Sequence, residues 1–254
     1  MKYLLFPLRL LFTLYALALF TAFMLLIFPL VVIFSFLGKV RGGNIIYKLC
    51  QLWTDCIIPC WGIFHTNIYE SPHDTSRPCV FVFNHLSFMD APALLKAIRR
   101  QHFRVLGKAE LAKVPIFGFI YRNTVVLVDR SNPEKRAKSV QQLKSIINKG
   151  ISVVIAPEGT FNMTHQPLKE FYDGAFRIAI ETQTPIKPIL FLDCYDRLSY
   201  KSVFSLTPGR SRAVYLKEIP VDGLTINDVP ALKEKVYQIM EAKLIAYNAS
   251  WITK

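Results

Sequence analysis

The pattern of apolar and polar positions divides the chain into two unlike parts. Positions 10–38 form 29 consecutive residues without a charge. As one straight helix that run measures about 43 Å, more than the roughly 30 Å of a hydrocarbon core. Pro29 divides it, so two forms stay open: a single tilted span, or a bent hairpin that dips into one leaflet. The run is too long for a secretory signal, and no small-residue cleavage site follows. Residues 44–64 (NIIYKLCQLWTDCIIPCWGIF) read as a second apolar, aromatic helix. A polar turn cluster at 70–78 (ESPHDTSRP) then reads as a linker. These features predict membrane-attachment helices over 1–64 and a folded domain over 65–254.

From position 79 onward, short β-branched and aromatic runs alternate with helical patterns. Strands are predicted at 79–83, 103–106, 124–128, 152–155, 188–192 and 213–216. Asn132-Pro133-Glu134 starts a helix, with Asn as N-cap, Pro in the first turn and an acid at the positive end of the dipole. Gly150 ends it. Further helices are predicted at 172–181 and 228–248, the last with Leu232, Val236, Ile239, Met240 and Leu244 on one face. The alternation predicts an α/β fold, a mixed sheet flanked by helices, preceded by an N-terminal apolar membrane segment.

Composition narrows the partners. The 254 residues hold 31 Lys+Arg against 18 Asp+Glu, a net charge of +13, and 52% are hydrophobic. That excludes a disordered chain, a collagen-like repeat and a small disulfide scaffold. Basic charge over a greasy N-terminus directs attention to anionic membrane, acidic small substrates or nucleic acid. Lys2 and Arg9 precede the apolar run; Lys39, Arg41 and Lys48 follow it. Charge at both ends gives no clean orientation and slightly favours both ends on the cytoplasmic side. The five cysteines contain no C-x-x-C pair. They read as small apolar core residues in a reducing compartment, and scattered His and Cys predict no metal site.

Candidate chemistry lies at strand-to-helix junctions. Asn84-His85-Leu86-Ser87-Phe88-Met89-Asp90 follows the first predicted strand of the folded domain. Its H-x4-D spacing lets a turn bring His85 and Asp90 together, so that Asp90 accepts Nδ1–H and leaves Nε2 as a general base. Taken singly, His85 also reads as an ordinary turn residue and Asp90 as a helix cap before Ala91-Pro92. Ala156-Pro157-Glu158-Gly159-Thr160 follows the strand at 152–155. Carboxylate, hydroxyl and free backbone N–H groups beside a glycine suit a polar substrate head; an ordinary β-turn reads the same way. Residues 96–138 hold 11 Lys/Arg and three acids. Within that block Lys108 and Arg130 are candidate phosphate ligands, while most of the rest form a solvated basic face. The stretch 111–121 (LAKVPIFGFIY) is too apolar for a nucleic-acid surface and suits the wall of an acyl-chain site or a membrane-facing helix.

Together, in this order and spacing, NHLSFMD, KAEL at 108–111, VVLVDR at 125–130, APEGT, FYDGAF at 171–176 and PIKP at 185–188 resemble the lysophospholipid acyltransferase family. The resemblance covers roughly 79–192 and implies the family's glycerolipid acyltransferase-like fold. It implies His85 as base and Asp90 as its partner. Glu158, Gly159 and Thr160 would shape the acceptor site, and Lys108 and Arg130 would hold phosphate. The implied co-substrates are acyl-CoA or acyl-carrier protein and a lyso-lipid, 1-acylglycerol-3-phosphate or a relative, with no cofactor beyond the acyl donor. A cell-membrane location with the catalytic domain on the cytoplasmic side and an anionic lipid partner is implied too. The family's phosphatidate-forming branch commonly has Arg directly after P-E-G-T, where this chain has Phe161 and then Asn162. A lyso-lipid without that phosphate contact, such as a lyso-aminolipid, stays open as acceptor, as does an inactive membrane lipid-binding protein. A hydrolase would want a nucleophile elbow, and G-x-S-x-G is absent. No nucleic-acid-binding motif is present, so nucleic acid is not an expected partner.

Overall fold

The computed structural model describes residues 6–128 and 132–252. It opens with a 30-residue helix, α1 (Phe6–Ser35), which continues through Pro29 without a break. Proline forfeits only one backbone bond there, and leucine-rich turns on either side carry the helix on. A five-residue π-helical turn, Gly38–Gly42, leads into α2 (Gly43–Cys60). The chain reverses at this turn, and the two helices pack as an antiparallel hairpin. Trp61 Nε1 donates to the Ala16 carbonyl, and the Phe20 and Trp53 rings lie 4.5 Å apart. The inward stripe of α1 is Ala16, Met24, Ile27 and Val31; Leu8, Leu17, Leu26, Leu30 and Ile33 face outward. A helix apolar all round thus seats one stripe on the body and leaves an apolar face unpartnered.

A seven-stranded sheet follows: β1 (Ile63–Tyr69), β2 (Val80–Phe83), β3 (Phe103–Lys108), β4 (Val125–Val128), β5 (Ser152–Ile155), β6 (Ile186–Phe191) and β7 (Gly209–Tyr215). Their order is β1-β7-β6-β2-β5-β3-β4. Every neighbouring pair is parallel except β6 and β7. This is the mixed, helix-flanked sheet the pattern predicts. The central strands β2, β5 and β6 are buried at every position, as continuous apolar runs in a parallel sheet require. Burial of each large apolar side chain such as Phe81 or Phe176 contributes about 2–3 kcal/mol.

One face of the sheet is covered by α1, α2, α3 (Asp90–Ala97) and α4 (Phe117–Thr124), the other by α5 (Pro133–Ile147), α6 (Gly174–Glu181) and α8 (Val229–Ala246). A short α7 (Cys194–Arg197) links β6 to β7. The predicted 44–64 helix ends at Cys60, and the residues after it form β1, an edge strand not predicted from the pattern. Ile46, Trp53 and Ile57 of α2 share a core with Phe83, Phe103 and Tyr215 of the sheet. The hairpin and the sheet are therefore packed as one unit across the expected 64/65 boundary. The 111–121 stretch becomes a 3-10 turn and α4, whose Phe119 meets Phe28 of α1 edge-on at 5.7 Å.

Candidate active site

Parallel strands align their C-terminal ends, and in open α/β sheets that end carries the chemistry. Here β2 delivers His85, β5 delivers Glu158, and β3 delivers Lys108 to the same end. The loop after β2 turns at once into α3, whose first residue is Asp90. His85 Nδ1 lies 2.8 Å from Asp90 Oδ2. The same oxygen accepts the backbone N–H groups of Leu86 and Ser87, each at 2.9 Å. One carboxylate oxygen therefore closes the turn and holds the imidazole. Asp90 is 2% exposed and His85 28%. Among the described residues Nε2 has no hydrogen-bond partner, the arrangement a general base needs. Asp90 Oδ1 is buried and, among the described residues, has no N–H or O–H donor. Its neighbour is the Cys194 thiol, whose pKa is pushed well up by burial and then by the Asp90 carboxylate.

The backbone of His85 is gripped from both sides. Its N–H donates to Glu158 Oε1 at 2.8 Å, and its carbonyl accepts from Asn162 N at 2.7 Å. Glu158 Oε2 accepts Lys169 N at 2.8 Å. Glu158 is completely buried, and burial raises its pKa to about 8 against the pull of these two amides. Its carboxylate thus faces the loops and is closed to a substrate head group. Gly159 has φ +72°, a left-handed conformation that favours glycine and lets the turn bring Glu158 inward. Thr160 Oγ1 accepts from Lys169 Nζ at 2.8 Å.

Lys108 is exposed, with Nζ 3.6 Å from Glu110. Arg130 lies outside the described residues. Asn84 was missed by sequence reasoning, and Phe161 was singled out there only as the residue after P-E-G-T. Asn84 is fully buried and exchanges both amide bonds with Phe191 of β6, at 2.8 and 3.0 Å; its place at a strand end directly before the histidine was the available signal. Phe161 lays its ring 4.5 Å from the His85 ring and 5.1 Å from Phe88. Among the described residues no group of three or more His, Cys, Asp or Glu is placed to hold a metal ion.

A family model described as Acyltransferase matches residues 64–192, from β1 to just past β6, and so contains both loops. The chain belongs to the acyltransferase family. Among curated relatives, a putative 1-acyl-sn-glycerol-3-phosphate acyltransferase of Caenorhabditis elegans is 29% identical over 205 residues, 80% of this chain and 70% of that protein. The human 1-acyl-sn-glycerol-3-phosphate acyltransferase beta is 29% identical over 171 residues, 67% of this chain and 61% of that protein. A chloroplastic enzyme of the same description from Brassica napus shares 29% over 174 residues, and this chain spans 49% of its length. The crystal structure of the 1-acyl-sn-glycerophosphate acyltransferase of Thermotoga maritima superposes with a TM-score of 0.75, over 96% of this chain and 98% of that one. At 21% identity that likeness establishes the shared fold.

Proposed function

We propose that this acyltransferase-family protein moves a fatty acyl group from an acyl thioester, acyl-CoA or acyl-carrier protein, to the hydroxyl of a lyso-lipid such as 1-acylglycerol-3-phosphate. The observation that carries the reading is the His85–Asp90 pair at 2.8 Å, gripped on its backbone by Glu158 and Asn162 and with Nε2 unpartnered among the described residues. His85 Nε2 takes the acceptor hydroxyl proton as that oxygen attacks the thioester carbonyl. The C–O bond forms, the C–S bond breaks, and the departing thiolate collects the proton from His85. Asp90 holds the ring and stabilises the imidazolium between the two transfers. The acceptor is itself the nucleophile, so no covalent acyl-enzyme is required.

Lys108 and Arg130 are assigned to substrate phosphate, and Gly159 and Thr160 to the wall of the acceptor site. Glu158 positions the base through its backbone. The outward apolar face of α1 supports attachment to a cell membrane bearing anionic lipid, with the acyl-transfer site on the cytoplasmic side, where acyl thioesters are found. Phe161 against His85 favours a second reading of the acceptor alone: a lyso-lipid whose group beside the base is apolar or uncharged, such as a lyso-aminolipid. To test both, detergent-purified full-length protein is incubated with labelled acyl-CoA or acyl-carrier protein and a panel of lyso-lipids, and products are identified by mass. A diacyl product with 1-acylglycerol-3-phosphate supports the first reading. Product only with other lyso-lipids supports the second. No acylated product with any acceptor contradicts acyl transfer.

A further inference from the structure

A second site lies at the far edge of the sheet. Strand β4 has a neighbour on one side only, and between it and α5 opens a cavity of about 710 Å³. Its lining includes Lys39, Arg104, Arg122, Lys138 and Lys149 and, among the described residues, no acid. Gathering this much like charge in one concavity is costly unless an anion enters it. The Arg104 end of the cavity lies away from the catalytic cleft. Arg104 pairs level with Val153, and Val153 with Val80. Val80 is five residues before His85, a separation of about 16 Å along the strand direction alone.

Arg104 is the key side chain. It is 4% exposed and forms no ion pair among the described residues. Its guanidinium is held by neutral oxygens: the carbonyls of Phe103, Lys39 and Val40 and Asn44 Oδ1, at 2.8–3.2 Å. The Tyr47 ring lies 5.2 Å away. Buried cations usually find a carboxylate or lose their charge, and arginine keeps its charge. Lys39 reaches across to the Arg122 carbonyl and to Asn123 Oδ1, at 2.6 and 3.2 Å. Burial and Arg122 together pull the Lys39 pKa down, the signature of uncompensated positive charge.

The place of the cavity selects the anion. Lys39 stands in the π-helical turn directly after α1, and Leu30, Ile33, Phe36 and Leu37 just before it are exposed apolar residues. When that surface sits in hydrocarbon, Lys39 and the cavity mouth stand at the depth of lipid head groups. We propose that the β4–α5 cavity is a second, non-catalytic phosphate site that takes the head-group phosphate of an anionic phospholipid. The bound lipid neutralises Arg104, Lys39 and Arg122 together and ties the helical hairpin to the edge of the sheet. This inference rests on the cavity and does not depend on the acyl acceptor being correctly assigned.

The test is amide hydrogen exchange of the full-length protein in three settings: phosphatidylcholine nanodiscs, nanodiscs of equal parts phosphatidylcholine and phosphatidylglycerol, and phosphatidylcholine nanodiscs with added inorganic phosphate. Slower exchange over 122–127 and 139–149 is expected with phosphatidylglycerol only. Lys138→Gln/Lys149→Gln, two exposed positions on or just after α5, should lower that protection by at least about fivefold for each lysine. Gln142→Glu, which places an acid in the cavity, should abolish it. Equal exchange in the two lipid settings overturns the proposal, and so does protection that survives both variants. Equal protection by inorganic phosphate overturns the lipid assignment in favour of a soluble phosphate ligand.

Discussion

The two ends of the sheet handle charge in opposite ways. At the C-terminal ends of β2 and β5, each buried carboxyl group has backbone or side-chain donors. Asp90 Oδ2 collects three donors and Glu158 two backbone amides, while among the described residues His85 Nε2 and the buried Asp90 Oδ1 are left over. At the β4 edge, cations are gathered without a described acid to match them. The first arrangement fixes one atom in place, as proton transfer demands. The second leaves a field unspent, as ligand binding demands.

The sharpest way to break the first half of this comparison is to remove its central acceptor. Asp90→Ala strips three donors of their partner and should lower turnover by about 10²–10⁴-fold, close to loss of the base itself. Asp90→Asn should separate geometry from charge, because a single amide oxygen can still meet all three donors. Its melting temperature should stay near wild type while kcat falls roughly 10²-fold. A stability loss in Asp90→Asn with unchanged kcat would reduce Asp90 to a helix cap.

Glu158→Ala comes next. It leaves the His85 and Lys169 amides unpaired inside the protein, at a cost of about 2–5 kcal/mol by thermal or denaturant unfolding. Activity should fall with stability although Glu158 faces no substrate. The same residue gives a pH test. With its folded pKa at about 8 against an ordinary 4.5, the folded state holds a proton that the unfolded chain releases. Its contribution is fully present below pH 4.5 and is lost as pH rises towards 8. The slope over that window is about 1 kcal/mol per pH unit. Glu158→Gln should flatten it; an unchanged slope in the variant would assign the pH dependence to other groups.

The smallest effect belongs to Lys108→Ala. A solvent-exposed phosphate contact, already shared with Glu110, should raise KM severalfold for a phosphate-bearing substrate and leave kcat nearly unchanged. Equal kinetics for donor and acceptor would move Lys108 out of the binding site.

The sheet was legible where burial was complete. VFVF, SVVI and PILF are short apolar runs of the kind fully buried parallel strands carry, and their places agree with the structure. β1 was hidden because an edge strand with Phe64 turned to solvent reads as the tail of the apolar helix before it. The unbroken course of α1 through Pro29 was equally unreadable, since tertiary packing on α2 outweighs one lost hydrogen bond. The H-x4-D turn was legible because its spacing is local. The inward turn of Glu158 was not, because its donors come from His85, 73 residues earlier, and Lys169, 11 residues later. Nothing local identifies Arg104 either; its position beyond the start of β4, facing the turn after α1, exists only in the folded chain.

The central claim is that His85 is the base for acyl transfer to a lyso-lipid. Its most direct test is the rate of ester product formation by wild type and His85→Ala, measured by mass in the same detergent with saturating acyl donor and acceptor. The account predicts product from wild type and a loss of about 10²–10⁴-fold in His85→Ala at an unchanged melting temperature. Comparable rates from the two proteins would contradict it.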